Sequence, residues 1–320
     1  MPAAFVQNPG FCCSSANKSL TLKGTTMSTP ITAKAVSELR QRTGAGMMDC
    51  KKALEETVGD MDAAVEYLRK KGMARADKRA DRSAKEGIVG TAILNDGRSG
   101  VLVEVGCETD FVARNEDFGK FVDSLVVQMS KSTAMETAVF LAEPMADGSG
   151  SVDEYVKVTS ARTGELTIVK NIARFDAGAN GQVGIYSHHN KKLATMVQIT
   201  SSSPEAAAHE GTRELIKFIA EHIAAMSPIA VDRTGVPQEK IDSEQRIAEE
   251  QAREAGKPDA MIARIATGKV EAFLKDVTLL PQAWVRDPKQ TIADIIKDTE
   301  GRVGGQITVD RFVRLQLGAD

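Results

Sequence analysis

The sequence predicts an α+β protein in which a small three-helix module precedes a duplicated core of antiparallel strands and helices. Three observations lead to this prediction. Residues 31–71 carry short helical patterns, and residues 87–105 and 181–199 repeat one arrangement of strands. Residues 239–276 then read as two helices, the first of them with few apolar positions. A helix that polar cannot lie in a core, so we expect an antiparallel hairpin that projects from the body.

The N-terminal module is predicted from apolar residues that recur at helical spacing. The glycines of "TGAG", residues 43–46, end the first helix, and a "GD" turn separates the second helix from the third. The expected apolar faces are Val36 and Leu39; Cys50, Ala53, Leu54, Thr57 and Val58; and Met61, Ala64, Val65 and Leu68. Three helices this short enclose little core.

Two neighbouring methionines open the second helix of the module. Successive helix residues point about 100° apart, so Met47 falls near the apolar face and Met48 falls on the far side. A frayed first turn would let both side chains reach the core. The alternative is an exposed methionine for a partner, since methionine adapts well to binding surfaces.

Residues 69–85, "RKKGMARADKRADRSAK", form a basic stretch that we expect to be a helical linker. A run of charges is usually a solvated face. The alternative is a strip that contacts phosphates, which would make the protein an RNA- or ribosome-associated binding protein. No supporting aromatic residues or nucleic-acid fold signature accompany the run.

The core is predicted from an internal repeat. "GIVGTAIL" and "GVLVEV" recur 94 residues later as "GQVGIYSH" and "ATMVQI". A helix follows each pair of strands, with apolar stripes at Phe118, Phe121, Val122, Leu125, Val126 and Met129 in the first copy and Leu215, Phe218, Ile219, His222, Ile223 and Met226 in the second. Residues 165–175 form a further strand, and we expect residues 305–317 to return as a strand of the second subdomain.

The connection after the second strand differs between the copies. Copy two has the polar "TSSSPEAAAHEG", whereas copy one has "GCETDFVARNED". A loop that only joined a strand to a helix would not need Asp110 and Phe111. Phe111 could pack onto the helix that follows, as apolar residues near helix starts often do. It could equally be exposed for interaction with another molecule.

Composition argues against several classes of function. The formal net charge of −3 and the 27% of charged residues are ordinary for a globular protein and do not indicate nucleic-acid binding. Aromatic residues make up only 4%, too few for stacking platforms. No stretch approaches the roughly 20 apolar residues of a membrane helix, so we expect no membrane partner.

Nothing in the sequence assembles an enzyme active site, a metal site or a cofactor site. The four cysteines lack C-x-x-C spacing, which favours a reducing cytosol. Cys107 with His188 or His209 as base would need an orienting third group, and no motif provides one. His188 and His189 are adjacent, so on a strand they face opposite ways and chelate a metal badly.

The first 26 residues contain no acidic residue and have no clear periodicity. They lack the apolar segment of a signal peptide and the arginines of a transit peptide. The segment that begins at Met27, "MSTPITAKAVSEL", resembles the natural N-terminus of a protein. We therefore expect residues 1–26 to be a disordered extension or the product of an upstream start codon, with a weak transit peptide as the alternative.

Two long motifs resemble the signatures of one protein family. "LRQRTGAGMMDCKKAL" (39–54) is similar to the N-terminal signature of translation elongation factor Ts, and "CETDFVARN" (107–115) is similar to its second signature. The resemblance extends over residues 28–318 and includes a module similar to ubiquitin-associated domains. The expected divisions are residues 1–26, the module with its linker at 27–86, core subdomain 1 at 87–180, and core subdomain 2 at 181–320 with the hairpin 239–276.

The resemblance implies a guanine-nucleotide exchange factor for elongation factor Tu, the GTPase that carries aminoacyl-tRNA to the ribosome, with no cofactor of its own. It implies that Asp110 and Phe111 enter between helices of the nucleotide-binding domain of Tu. The segment that disturbs the magnesium site would be Thr109, Asp110, Phe111 and Val112. Other contacts with Tu would be made by Arg40, Met47, Met48 and His188.

The expected partner is therefore elongation factor Tu, bound through its GTPase domain and a second domain, and nucleic acid is not the main partner. A bacterial cytoplasm is the expected location, with mitochondria and plastids left open. One departure from the family concerns "HHNKKLATM", which stands where members usually have a glycine-rich turn. The additional C-terminal helical module of some members has no counterpart here, so no contact with Tu is expected from it.

Overall fold

Helices and antiparallel strands alternate along residues 31–319, the part of the chain that the structure, a computed structural model, describes. The helices are α1 (Ala33–Thr43), α2 (Met47–Glu56), α3 (Met61–Asp77), α4 (Asp110–Ala113), α5 (Glu116–Lys131), α6 (Thr137–Ala142), α7 (Val152–Thr163), α8 (Pro204–Ala208), α9 (Glu210–Met226), α10 (Gln238–Glu254), α11 (Asp259–Val277) and α12 (Ile292–Val303). The strands are β1 (Glu86–Leu94), β2 (Ser99–Cys107), β3 (Thr167–Asp176), β4 (Gly181–Ser187), β5 (Leu193–Ser201), β6 (Ala283–Trp284), β7 (Asp287–Thr291) and β8 (Ile307–Gln316). The α+β class is as predicted. The expectations for residues 1–26 lie outside the described residues.

The first three helices form the small module. Thr32 caps α1, because its side chain accepts a hydrogen bond from Ala35 N, and Gly44 ends the helix in the left-handed conformation. Helix α2 ends at Glu56, so Val58, which the sequence pattern assigns to its apolar face, lies beyond the helix and is exposed. The buried core of the module is Val36, Leu39, Cys50, Ala53, Leu54 and Ala64.

Helix α3 is longer than the sequence pattern suggests. It runs to Asp77, so residues 69–77 belong to the module and only residues 78–85 connect it to β1. The expected helical character of residues 69–85 is thus found as far as Asp77, whereas the connecting role is restricted to residues 78–85. The physical reason is that small residues keep one side of α3 apolar beyond residue 71: Gly72 and Ala76 are both buried.

The two halves of the core repeat one strand pattern. The sheets have the orders β1-β2-β3 and β4-β5-β8, and every pairing in them is antiparallel. An irregularity in register falls between Glu104 and Val105 in β2 and between Gln198 and Ile199 in β5, which are equivalent positions of the internal repeat. The closing strand β8 pairs with β5, as expected from the sequence.

Two glycines of the repeat allow a long helix to lie directly on each sheet. A Cβ atom on Gly90 would lie 2.7 Å from the Val122 side chain, and one on Gly184 would lie 1.9 Å from Ile216. All six residues of the predicted stripe of α5 are buried. In α9, Met226 is exposed instead, because it is the last residue of the helix, and Ile216 is buried against Gly184.

The inner faces of the two sheets meet in a shared core. It contains Val89, Leu102 and Phe175 from the first sheet and Val183, Ala194, Met196 and Leu315 from the second. Helices cover the outer faces: α5, α6 and α7 contribute to the cluster on the first sheet, and α9 and α12 to that on the second. The layers are therefore helix, sheet, sheet and helix.

Each half carries a different insertion between its long helix and its third strand. The first half carries α6 and α7, and the second carries α10, α11, a short β6–β7 pair and α12. Helices α10 and α11 form the predicted hairpin, with Ile241, Ala248, Ala252, Ile262, Ala266, Val270 and Leu274 buried. Within residues 31–319, no helix is both long and apolar enough to cross a membrane.

Candidate functional site

The segment after β2 folds into one short helix with defined ends. Thr109 caps α4 with an extended backbone, and its hydroxyl accepts a hydrogen bond from Val112 N at 3.4 Å. Arg114 N donates to the Asp110 carbonyl at 2.9 Å, and the Arg114 side chain pairs with the Asp110 carboxylate at 3.1 Å. Asn115 then caps α5. The "TDFVARN" motif is thus a turn of helix held at both ends.

Phe111 points away from the core at the centre of this turn. Its exposed fraction is 84%, the largest among the exposed large hydrophobic residues of the described chain. Val112 and Ala113, on the other side of α4, pack against the core cluster of the first sheet. The interpretation of Phe111 as a residue packed onto the following helix is therefore wrong, because its neighbours fill that position.

A reciprocal pair of carboxylates ties this turn to the start of β3. Glu165 accepts two hydrogen bonds from Thr109, one from the backbone N at 3.0 Å and one from the hydroxyl at 2.6 Å. Glu108 accepts a hydrogen bond from Leu166 N at 2.6 Å and pairs with Arg82 at 3.1 Å. The Leu166 N–H and Arg82 lower the pKa of Glu108. We call these contacts the Glu108–Glu165 clasp.

His188 lies on the turn between β4 and β5, beside the first half of the core. Its Nδ1 is 2.9 Å from the Tyr186 hydroxyl, and its ring lies 4.2 Å from that of His189, centroid to centroid. The turn is anchored on β1, because Val89 N donates to the Lys191 carbonyl at 2.7 Å. The departure from the family pattern in this turn therefore leaves a well-anchored connection.

A cleft of about 630 Å³ brings this turn together with the wedge segment, residues 109–112. Its lining includes Asp110 and Arg114 from the wedge region and His189, Asn190 and Lys191 from the turn. The turn that begins at His188 and the start of α4 thus line one cleft, although the expected contact residue His188 itself does not line it.

The expected contact residues of the module are exposed. Arg40 lies on the surface of α1, and Met47 and Met48 occupy the first turn of α2 with exposed fractions of 44% and 76%. The frayed-turn interpretation, in which both methionines reach the core, is therefore wrong. The neighbouring Asp49 pairs with Arg75 at 2.9 Å and with Lys71 at 3.1 Å. Both pairings lower the pKa of Asp49, and the pairing with Arg75 has the larger effect.

The basic stretch is largely engaged in pairings within the protein. Arg69 pairs with Glu154 of α7, and Asp77 pairs with Lys157 of the same helix at 2.8 Å. Arg79 donates to the Ser160 carbonyl at 3.0 Å. Lys71 and Arg75 pair with Asp49 inside the module, and Arg82 pairs with Glu108 of the core. Together these pairings leave less charge for phosphate groups.

The structure shows Cys107 in a setting that suits no nucleophile. The thiol is fully buried and donates to the Thr109 carbonyl at 3.2 Å. Burial, reinforced by the charges of Glu165 and Glu86, raises its pKa to about 12. Among residues 31–319 there is also no cluster of three or more His, Cys, Asp or Glu residues that could hold a metal ion.

Sequence patterns did not identify the Glu108–Glu165 clasp. Glu108 lies inside the quoted motif, but its role as acceptor for Leu166 N depends on a pairing with a residue 58 positions away. Glu165 precedes a strand and has no feature that distinguishes it from an ordinary surface carboxylate. One signal is available: when the third strands of the two core copies are aligned, Glu165 corresponds to Gly305.

Comparisons with known proteins give an independent result. A family model described as "Elongation factor TS" matches residues 108–319. A protein named "Elongation factor Ts" from Lawsonia intracellularis is 41% identical over 292 residues, covering 91% of this chain and 99% of its own length. A protein of the same name from Chloroherpeton thalassium is 42% identical over 290 residues, covering 90% and 98%. A third, from Clostridium perfringens, is 41% identical over 290 residues, covering 90% and 93%.

Proposed function

The chain belongs to the elongation factor Ts family, and from this membership we propose that it accelerates GDP release from elongation factor Tu during translation elongation. In this proposal, Asp110 and Phe111 enter the nucleotide-binding domain of Tu, and residues 109–112 disturb its magnesium site. The protein acts by binding and uses no cofactor of its own. Because the relatives named above are bacterial, the bacterial cytoplasm is the proposed location.

The observation that carries the proposal is the 84% exposure of Phe111 on a helical turn that is held at both ends. Full burial of a phenylalanine side chain contributes about 1.5–3 kcal/mol, and each 1.4 kcal/mol is roughly a tenfold change in an equilibrium constant. One buried Phe111 therefore supplies about ten- to a hundredfold. A larger effect requires the rest of the interface.

The link to magnesium follows from the chemistry of bound nucleotides. Magnesium bridges the phosphate oxygens and the protein in GTPase sites, so a displaced ion weakens the binding of GDP. The coupling is reciprocal: a factor that weakens GDP binding by a given ratio is itself bound more weakly by that ratio when GDP is present. This reciprocity lets the protein leave Tu once a new nucleotide binds.

The remaining proposed contacts lie on two other surfaces. Arg40, Met47 and Met48 of the module would contact the same GTPase domain of Tu. His188 would contact Tu from the turn whose residues 189–191 line the cleft together with Asp110. A second domain of Tu would be bound by the core.

The proposal is tested by the release of a fluorescent GDP analogue from elongation factor Tu with residues 27–320 as the added protein. We expect the wild type to accelerate release and Phe111→Ala and Asp110→Ala to lose most of the effect. Met135→Ala is the matched control, since Met135 is also an exposed apolar residue, 63% exposed. If Phe111→Ala folds normally and accelerates release fully, the wedge assignment is wrong.

A magnesium titration separates the proposed mechanism from simple binding. If the wedge acts through magnesium, chelation of the ion should itself accelerate release and should shrink the further acceleration by the wild type. Equal acceleration at low and high magnesium would contradict the magnesium step but leave the exchange activity intact. No acceleration by the wild type under any condition would contradict the exchange function.

A further inference from the structure

We propose that Glu165 is a positioning residue for exchange: its carboxylate fixes the N-terminal end of α4 and so sets the direction in which Phe111 points. This inference rests on the proposed function, because it assigns the residue a role in the action of the wedge. Glu165 belongs to the α7–β3 connection, and its carboxylate accepts hydrogen bonds from Thr109.

The geometry at Thr109 gives the carboxylate control of the turn. Thr109 N and Oγ1 donate to the two oxygens of Glu165 at 3.0 and 2.6 Å, a two-point contact that fixes both the backbone and the side chain. With its proton directed at Glu165, the Thr109 hydroxyl presents a lone pair to Val112 N. The carboxylate thus orients the same hydroxyl that caps α4.

Glu165 is itself held in place by the end of α7. Gly164 ends that helix in the left-handed conformation, and the Glu165 carbonyl accepts a hydrogen bond from the Ser160 hydroxyl at 2.6 Å. The same helix also contacts the module, because Arg69 of α3 pairs with Glu154 of α7. Helix α7 therefore supports both proposed binding elements, the wedge at one end and the module along its side.

The second copy of the core provides an internal comparison. The pairs Cys107–Thr167 and Ser201–Ile307 occupy equivalent positions of the two sheets. On this alignment the residue equivalent to Thr109 is Ser203, which caps α8 in the same way. The residue equivalent to Glu165 is Gly305.

Gly305 leaves no room for a side chain. A Cβ atom there would lie 2.7 Å from the Ala206 Cβ and 2.7 Å from the Ser202 hydroxyl. The other half of the clasp is kept in copy two: Gln306 N donates to the Ser202 hydroxyl at 3.0 Å, as Leu166 N donates to Glu108 in copy one. The carboxylate on the cap is therefore particular to the copy that carries Phe111.

The first measurement needs no partner. Amide hydrogen exchange of residues 109–115 is followed in the wild type, in Glu165→Ala and in Glu143→Ala. Glu143 is the matched control, because its carboxylate also accepts a hydroxyl hydrogen bond, from Ser132 at 2.7 Å, in the same half of the core. We expect exchange on the order of tenfold faster in Glu165→Ala alone. Unchanged exchange would overturn the proposal whatever the fate of the exchange function.

The second measurement is GDP release at saturating concentrations of the added protein. We expect Glu165→Ala to lower the maximal rate on the order of tenfold, with a half-maximal concentration and thermal midpoint no more altered than in Glu143→Ala. Glu165→Gln should recover part of the rate, because its amide oxygen can still accept from Thr109 N. Equal loss in Glu165→Ala and Glu143→Ala would show a merely structural role.

A double-mutant cycle with Phe111 decides whether Glu165 acts through the wedge. If it does, adding Glu165→Ala to Phe111→Ala should slow release by less than about twofold, because the wedge is already gone. Multiplicative losses would overturn the proposal. If the wild type and Phe111→Ala both accelerate release fully, the wedge assignment fails instead. The failure of the proposal for Glu165 can therefore be distinguished from the failure of the wedge assignment.

Discussion

Gly72 of α3 and Ala161 of α7 lie so close together that a Cβ atom at position 72 would be 2.9 Å from the Ala161 Cβ. Real Cβ atoms essentially never approach that closely, so glycine sets the separation of the two helices at this point. The pairings of Arg69 with Glu154 and of Asp77 with Lys157 flank the contact along the same two helices. The position of the module, and of its methionines, on the core depends on this approach.

Gly72→Leu should push the module away from α7. Overpacking of this kind costs about 1–3 kcal/mol, and we expect it to appear as faster hydrogen exchange in α3 and as a several-fold slower release of GDP from Tu. Gly268→Leu is the control, because Gly268 of α11 has no atom within 4 Å of its Cβ position. Normal rates in Gly72→Leu would mean that the position of the module does not matter for exchange.

Val58→Gly should stabilise the module. Val58 has φ 55° at the end of α2, and the hydrogen bonds Gly59 N to Leu54 O and Val58 N to Glu55 O form a Schellman motif around it. A β-branched residue is strained in that conformation, and relief should raise the local free energy of unfolding by about 0.5–1 kcal/mol. Hydrogen exchange of α2 and α3 measures the gain. Val58→Ile, which keeps the branch, should show none; equal protection in both variants would contradict the strain.

Stability should fall as the pH drops below 6.5, in part because of His222. This residue is fully buried, and burial lowers its pKa from 6.5, partly offset by Gln282. Val285 N donates to Nδ1 at 3.3 Å, so Nε2 carries the proton and donates to the Gln282 side-chain oxygen at 2.9 Å. The folded state therefore keeps His222 neutral while the unfolded chain takes up a proton.

The stability that His222 contributes is thus complete above its unfolded pKa. It declines below pH 6.5 with a slope of at most about 1.4 kcal/mol per pH unit, until the lowered pKa of the folded state is reached. Urea unfolding between pH 5 and 8 measures this slope. His222→Gln should flatten it, and an unchanged slope in the variant would assign the effect to other groups.

Cys107 should resist alkylation in the native protein. With a pKa of about 12, against 9.0 for a free thiol, its thiolate fraction at neutral pH is reduced; three pKa units correspond to roughly a thousandfold. Peptide mapping by mass spectrometry after brief iodoacetamide treatment should show Cys107 unmodified when folded and modified in urea. Rapid native labelling would contradict its burial.

The parts of the fold that local periodicity specifies were predictable. The strands of both copies alternate with period two, and the glycines at 90 and 184 recur at one spacing, so the sheets and their helices could be placed. The whole stripe of α5 is buried as predicted. The predicted stripe is wrong at the end of α9, where Met226 is the last helical residue and Ser227 is left-handed. Pro228 is a stop signal in the sequence, because the residue before a proline disfavours the helical conformation.

The site was only partly predictable for a different reason. The motif residues 109–112 could be identified along the sequence, and the exposure of Phe111 follows from the apolar neighbours that occupy the inner side of α4. The contact of Thr109 with Glu165 joins residues 56 positions apart, so no local pattern predicts it. Only the alignment of the third strands of the two copies distinguishes position 165. The paired state of the basic stretch is likewise a property of the folded chain, since its partners lie on α2, on α7 and at Glu108.

The hairpin of α10 and α11 begins and ends at one place on the core. Ile229 N donates to the Val277 carbonyl at 2.8 Å, and Leu279 N donates to the Ala230 carbonyl at 2.9 Å, so the two chain segments at its base are direct neighbours. The excursion between them therefore behaves as a stalk whose length does not enter the register of either sheet. An insertion at the exposed Gly256 turn between α10 and α11 should therefore leave the pairing of both sheets unchanged.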